Sequence, residues 1–187
     1  GWHTYWENPG DSGQEASIEW TLPKGFVASD ILWPGPERIP VEPLMTYGYE
    51  NKVVLLTEIK SPKEFPEEVN LAAKISWLTC KEICIPGKAD LELIIPAGNA
   101  KPTSYFHAIE KALSSLPQKN IDLTNVSNFN INVFSDKKTT SFNFQIDTKS
   151  FFINPKIYLH TPFGLPLVNP ILDYSFDYKN MKAIFNF

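Results

Sequence analysis

The stretch Val69-Asn70-Leu71-Ala72-Ala73-Lys74-Ile75-Ser76-Trp77-Leu78-Thr79 sets Val69, Leu71, Ala73, Ile75 and Trp77 at every second position. Successive side chains of a β-strand point to opposite faces, so these five share a face and the stretch reads as a half-buried strand. Leu91, Leu93 and Ile95 repeat the pattern in a second strand over residues 89–95. Between them lie Cys80 and Cys84, the two cysteines of the chain.

In one extended strand these cysteines would stand about 13 Å apart, too far to bond. If residues 81–83 form a hairpin loop, Cys80 and Cys84 face each other with Cα atoms about 4.5 to 5.5 Å apart, inside the disulfide range. Three chemistries are then open. A structural staple gains little, because so small a ring contributes about 2 kcal/mol against about 4.7 for a 100-residue loop. A local, partly exposed disulfide exchanges readily with thiols. Two thiolates also suit Cu(I). A copper site would draw a third ligand from His3, His107 or His160, none of which is near the pair in sequence. The βαβ pattern that accompanies thioredoxin-like sites is missing around the cysteines.

The surrounding chain is β-rich. Sixteen prolines punctuate short apolar runs, and proline is confined to strand ends, edges and bulges. Residues 18–22 and 52–59 read as further strands. Residues 103–116 carry Phe106, Ile109, Leu113 and Leu116 at helical spacing, with Thr103 or Ser104 as N-cap and Pro117 just beyond, and predict a short helix closing a first domain at residues 1–117. After a linker over 117–120, alternation returns in residues 129–134, 141–146, 151–159 and 182–187. Hairpins are expected around 135–140 and 179–181, and a second, smaller β-sandwich over 118–187 is the simplest reading.

Composition narrows the function further. The 187 residues are 43% hydrophobic and can bury a core without a disulfide framework. A net charge of −4 leaves no basic excess for nucleic acid. The longest apolar runs fall far short of the roughly 20 residues of a membrane span. No glycine-rich phosphate loop or nucleophile elbow is present, and nothing calls for a cofactor.

Four ordered segments carry a resemblance. His3-Thr4-Tyr5-Trp6-Glu7-Asn8-Pro9-Gly10-Asp11-Ser12-Gly13, Trp33-Pro34-Gly35-Pro36-Glu37-Arg38, Tyr47-Gly48-Tyr49-Glu50, and Trp77-Leu78-Thr79-Cys80 with Cys84-Ile85-Pro86 together resemble the N-terminal periplasmic domain of the DsbD family. The likeness is to its ScsB-like subgroup, linked to suppression of copper sensitivity. The C-x-x-x-C spacing is shorter than in the best-known members of the wider family.

The resemblance implies an immunoglobulin-like β-sandwich, two in tandem, with the cysteines on a hairpin at one end. It implies a periplasmic protein-disulfide reductase domain that takes electrons from a thioredoxin-like domain and reduces oxidised periplasmic proteins. The membrane-embedded domain that follows in the family is missing from these 187 residues, so the chain reads as an N-terminal piece of an inner-membrane protein. The family pattern gives the attacking role to Cys84 and the resolving role to Cys80. It also implies an aromatic cap loop over the cysteines, for which residues 43–51 are the candidate, with Met45, Tyr47 and Tyr49 as lids and Tyr5 and Trp6 lining the same end. The alternative is a Cu(I)-binding or copper-tolerance protein with Cys80 and Cys84 as thiolate ligands.

Overall fold

The computed structural model describes residues 1–64, 66–99, 101–117, 126–135, 140–148, 173–177 and 182–186. They fall into two compact units, one holding the described residues up to Pro117 and the other those from Val126 onward. The structure is mainly β, with one α-helix among the described residues.

The first unit contains β1 (His3–Gly10), β2 (Ser17–Thr21), β3 (Val27–Ala28), β4 (Glu37–Val41), β5 (Leu44–Glu50), β6 (Ile59–Lys60), β7 (Glu68–Cys80), β8 (Cys84–Pro96) and α1 (Phe106–Ser114). Its main sheet runs β2-β7-β1-β5-β4, with β8 also on β7. The alternating stretch is the long strand β7, which pairs with β8 in unbroken antiparallel register from Glu68↔Pro96 to Cys80↔Cys84. A strand has two edges, and β8 occupies one of them along its whole length. The other edge is shared, for β2 pairs with Ala72 through Ser76 and β1 joins at Cys80. Val69, Leu71 and Ala73 are buried as the alternation requires. Their register partners Ile95, Leu93 and Leu91 lie on the edge strand and are exposed.

A second, smaller layer faces β2. β3 pairs with β6, Leu32 bridges Leu56, and the Ser29 and Leu32 amides donate to the carbonyls of Glu58 (2.8 Å) and Leu56 (2.7 Å). Residues 52–59, expected as a strand, are therefore tied by isolated bonds, and only Ile59 belongs to a named strand. Val53, Val54, Leu55 and Leu56 are all half-buried, so this consecutive apolar run does not present one clean face to a ladder.

The helix forms inside the expected span, but its cap and its buried face differ. Tyr105 is the N-cap and makes no side-chain cap bond, while Thr103 Oγ1 accepts from the Tyr105 amide at 3.3 Å. Ala112 is the buried residue of α1, and Phe106, Ile109 and Leu113 are exposed. Ala108, Ala112 and Ser115 line a depression with Pro34, Val53 and Val54.

The second unit's described strands are β9 (Val126–Ser135), β10 (Thr140–Thr148), β11 (Asp173–Asp177) and β12 (Lys182–Asn186), in a four-stranded antiparallel sheet ordered β11-β12-β10-β9. Both expected hairpins are present as β9–β10 and β11–β12. The strand expected at 151–159 lies outside the described residues. Among the described residues no helix is long and apolar enough to cross a membrane.

Candidate functional site

The site grows from the end of the β7–β8 hairpin. Cys80 is the last residue of β7 and Cys84 the first of β8, so the ladder itself sets them opposite each other. They form a disulfide with a Cα separation of 4.1 Å, slightly closer than the expected 4.5 to 5.5 Å. Residues 81–83 make the connecting loop, closed by the Lys81 amide donating to the Ile83 carbonyl at 3.1 Å.

The two sulfur-bearing residues differ in environment. Cys80 is only 3% exposed. Cys84 is exposed, and so are Lys81, Glu82, Ile83 and Ile85 around it. The difference follows from topology, since β1 covers the edge of β7 at Cys80 while no named strand pairs with the outer edge of β8 among the described residues.

Cys80 sits in a row that crosses three strands. It is the register partner of His3 on β1, and His3 is the register partner of Glu50 on β5. Antiparallel register partners project to the same face of a sheet. The Thr4 hydroxyl, on the next residue, donates to the Leu78 carbonyl at 3.0 Å and ties β1 to β7. Tyr5 is buried and meets the His3 ring edge-on at a centroid distance of 5.2 Å. A side chain at Gly13 would strike the Tyr5 ring, so the loop after β1 passes closely over it.

Trp77 forms one flank of the hairpin. Its register partner is Gly87, and a Cβ at Gly87 would run into the indole, so the ring lies across bare backbone. Trp2, Thr4, Tyr49, Val53, Leu55, Trp77 and Thr79 line an open groove of about 620 Å³ at the base of the hairpin. Trp2, Trp77, Ile83 and Ile85 add exposed apolar surface at this end.

The cap candidates are distributed differently from the expectation. Residues 44–50 form strand β5, paired with β1 on one side and β4 on the other. Its stretch from Thr46 to Tyr49 is buried because every side chain there has a neighbour in the sheet or the core. Tyr49 adjoins the Cys80–His3–Glu50 row and lines the groove. Tyr47 lies further along β5, and Met45, half-buried, is five residues from Glu50, about 17 Å at strand rise. Trp6 is buried within β1.

Burial shapes the tyrosines. It raises the Tyr5 hydroxyl above its usual value. Tyr47 is raised by burial, with Arg38 pulling it down and Asp11 pushing it up. Tyr49 is raised far above the normal range by burial and then by Glu7, and its hydroxyl donates to the Pro34 carbonyl at 2.7 Å.

His3, far from the cysteines in sequence, is brought beside Cys80 by the sheet. The two are 77 positions apart in sequence and adjacent in the sheet. No local signal announces this, because register between strands so distant is set by the whole sheet. His107 rides on the surface of α1 and is 94% exposed, 3.6 Å from Glu110, and His160 lies outside the described residues. Among the described residues no group of three or more His, Cys, Asp or Glu side chains is arranged to hold a metal ion.

A two-layered β domain carrying a disulfide at a hairpin end, one cysteine buried and the other presented outward, has the construction of a redox module. Residues 1–96 match the family described as "Thiol:disulfide interchange protein DsbD, N-terminal", and the chain belongs to that family. Over its full length the chain is also similar in structure to the N-terminal periplasmic domain of ScsB from Proteus mirabilis, with a TM-score of 0.72, 23% identity and 68% of that chain covered. No curated protein matches the chain. The fold is the β-sandwich of this family, and the Cys80–Cys84 disulfide makes it a thiol–disulfide exchange domain.

Proposed function

We propose that the chain is a periplasmic protein-disulfide reductase domain, receiving electrons from a thioredoxin-like domain and passing them to oxidised partner proteins through Cys80 and Cys84. The observation that carries this reading is the asymmetry of the disulfide, with Cys84 exposed and Cys80 3% exposed. A sulfur must be reached along the line of the disulfide it attacks, so the outward cysteine is the one a partner can meet.

In the reduced protein the Cys84 thiolate attacks a partner disulfide, forming the Cys84–partner bond and releasing the partner's other sulfur as a thiol. The Cys80 sulfur then attacks Cys84, and the partner leaves with its second thiol. Two electrons have moved from the cysteine pair to the partner, and the thioredoxin-like donor restores the pair by the reverse sequence. Trp2, Trp77, Ile83 and Ile85 provide a small apolar docking surface around the hairpin. A modest patch suits a module that must release each partner. Tyr5 and Tyr49 act as fixed walls at the base of the site, and the β-rich unit beyond residue 117 is a second β-sandwich-like domain. The domain works in the periplasm as part of a longer, membrane-anchored protein.

Trapping tests the roles. Cys80→Ser, mixed with an oxidised thioredoxin-like protein, should accumulate a mixed disulfide on non-reducing gels, while Cys84→Ser should form far less. Equal trapping would overturn the role assignment. No trapping in either folded variant would overturn the exchange reading itself.

A further inference from the structure

We propose that His3 accepts the proton of Cys80 when this buried thiol resolves the mixed disulfide, an inference that rests on the exchange reading above. His3 is 4% exposed, and neither ring nitrogen has a hydrogen-bond partner among the described residues. Buried polar atoms of native proteins are nearly always paired, so an imidazole with both nitrogens unpaired calls for a reason. Its place in the sheet supplies one, since its register partner on β7 is Cys80, 3% exposed and on the same face.

The resolving step needs a thiolate, and burial in apolar surroundings opposes forming one. Water has little access to Cys80. The titratable groups facing His3 are Tyr5 on its own strand, Cys80 on β7, Glu50 on β5, whose carboxylate accepts from the Gly1 amino group at 3.1 Å, and Tyr49 and Lys52, which line the same groove as His3. The loop over Tyr5 carries Asp11, which accepts from the Met45 amide, and the exposed Glu15. A neutral imidazole beside Cys80 can act as acceptor because one ring nitrogen always has a free lone pair.

The step balances with no added oxidant. The bond between Cys84 Sγ and the partner sulfur breaks, and the Cys80–Cys84 bond forms. The Cys80 proton passes to His3, the electron pair of the broken bond leaves on the partner sulfur, and the imidazolium gives up its proton to that sulfur or to water. In the reductive direction His3 returns a proton to Cys80 as it leaves.

The test uses the reduced protein and Ellman's aromatic disulfide, read by absorbance. The first release of chromophore reports attack by the first cysteine and scales with reagent concentration. The second is intramolecular closure and does not. With His3 as acceptor, the wild-type closure rate should stay nearly level from about pH 7 to 8.5, where an unaided thiol would still be gaining thiolate. His3→Phe and His3→Gln should close at least tenfold more slowly near pH 7, gain about tenfold per pH unit, and approach the wild type at alkaline pH, where hydroxide can take the thiol proton. Closure in folded variants that follows the wild type at every pH, or is slowed by one constant factor, would overturn the proposal. So would a wild-type rate that itself climbs about tenfold per unit between pH 7 and 8.5, a result that needs no variant. Absence of the closing phase in wild type would remove the exchange reading, and this inference with it.

Discussion

Gly48→Ala sets two effects of opposite sign against each other at the centre of the sheet. Replacing glycine restricts the unfolded chain and stabilises by about 0.4–1 kcal/mol where the native backbone tolerates a side chain, and Gly48 is not among the glycines at positive φ. Space decides otherwise. A Cβ there would collide with the Thr4 carbonyl oxygen and lie 3.0 Å from the Thr4 carbonyl carbon and 3.2 Å from the Tyr5 Cα. All three are backbone atoms of β1, so no side chain can turn aside. Relief requires β1 and β5 to separate by about 1 Å, which takes neighbouring ladder bonds out of hydrogen-bonding range. Two such bonds at about 1 kcal/mol each, with about 1–2 kcal/mol of disturbed packing around Tyr5 and Tyr49, outweigh the entropic gain. The net loss is about 2–4 kcal/mol, or roughly 5–15 °C in melting temperature for a chain of this size. Gly35→Ala is the control, because nothing lies within 4 Å of its Cβ position; its melting temperature should match or slightly exceed wild type. Calorimetric melting of the three proteins makes the comparison, and a Gly48→Ala melting temperature equal to that of Gly35→Ala would refute the reasoning.

The partners Leu71 and Leu93 share a register position but not an environment, with exposures of 3% and 59%. Leu71→Ala should therefore lower stability by about 2–5 kcal/mol and Leu93→Ala by about 0.5 kcal/mol or less, read from urea midpoints; similar losses would contradict the burial assigned to β7. The raised tyrosines predict alkaline instability: a folded-state value above the unfolded value of about 10 gives stabilisation that is complete below about pH 10 and lost as pH rises through the folded value. Urea midpoints should hold from pH 8 to about 9.5 and then fall, with absorbance at 295 nm showing Tyr49 ionising after the exposed tyrosines. A flat profile to pH 11 would contradict the burial of Tyr49.

The parts of this molecule that were legible in sequence are those fixed by neighbours along the chain. Alternation from Val69 to Trp77 located β7, and two cysteines flanking three loop residues implied the facing pair at the hairpin end. The hairpins of the second unit were legible for the same reason. Misreadings arose where tertiary contacts chose among local options. The stripe of Phe106, Ile109 and Leu113 is the more apolar face of α1, yet these three are exposed and Ala112 is the buried residue of the helix. Within residues 43–51, pairing with both β1 and β4 makes residues 44–50 strand where the sequence suggested a loop. The approach of His3 to Cys80 depends on where β1 meets β7, a register no local pattern encodes.

The central claim is that Cys80 and Cys84 pass a pair of electrons to another protein's disulfide. It is tested most directly by mixing the reduced chain with an oxidised thioredoxin-like protein, quenching with acid at intervals, alkylating free thiols and counting labels on each protein by mass spectrometry. The account predicts that two labels disappear from Cys80 and Cys84 for every two that appear on the partner, with a transient species joined through Cys84. A cysteine pair that stays reduced while the partner's disulfide persists, or that oxidises without thiols appearing on the partner, would contradict it.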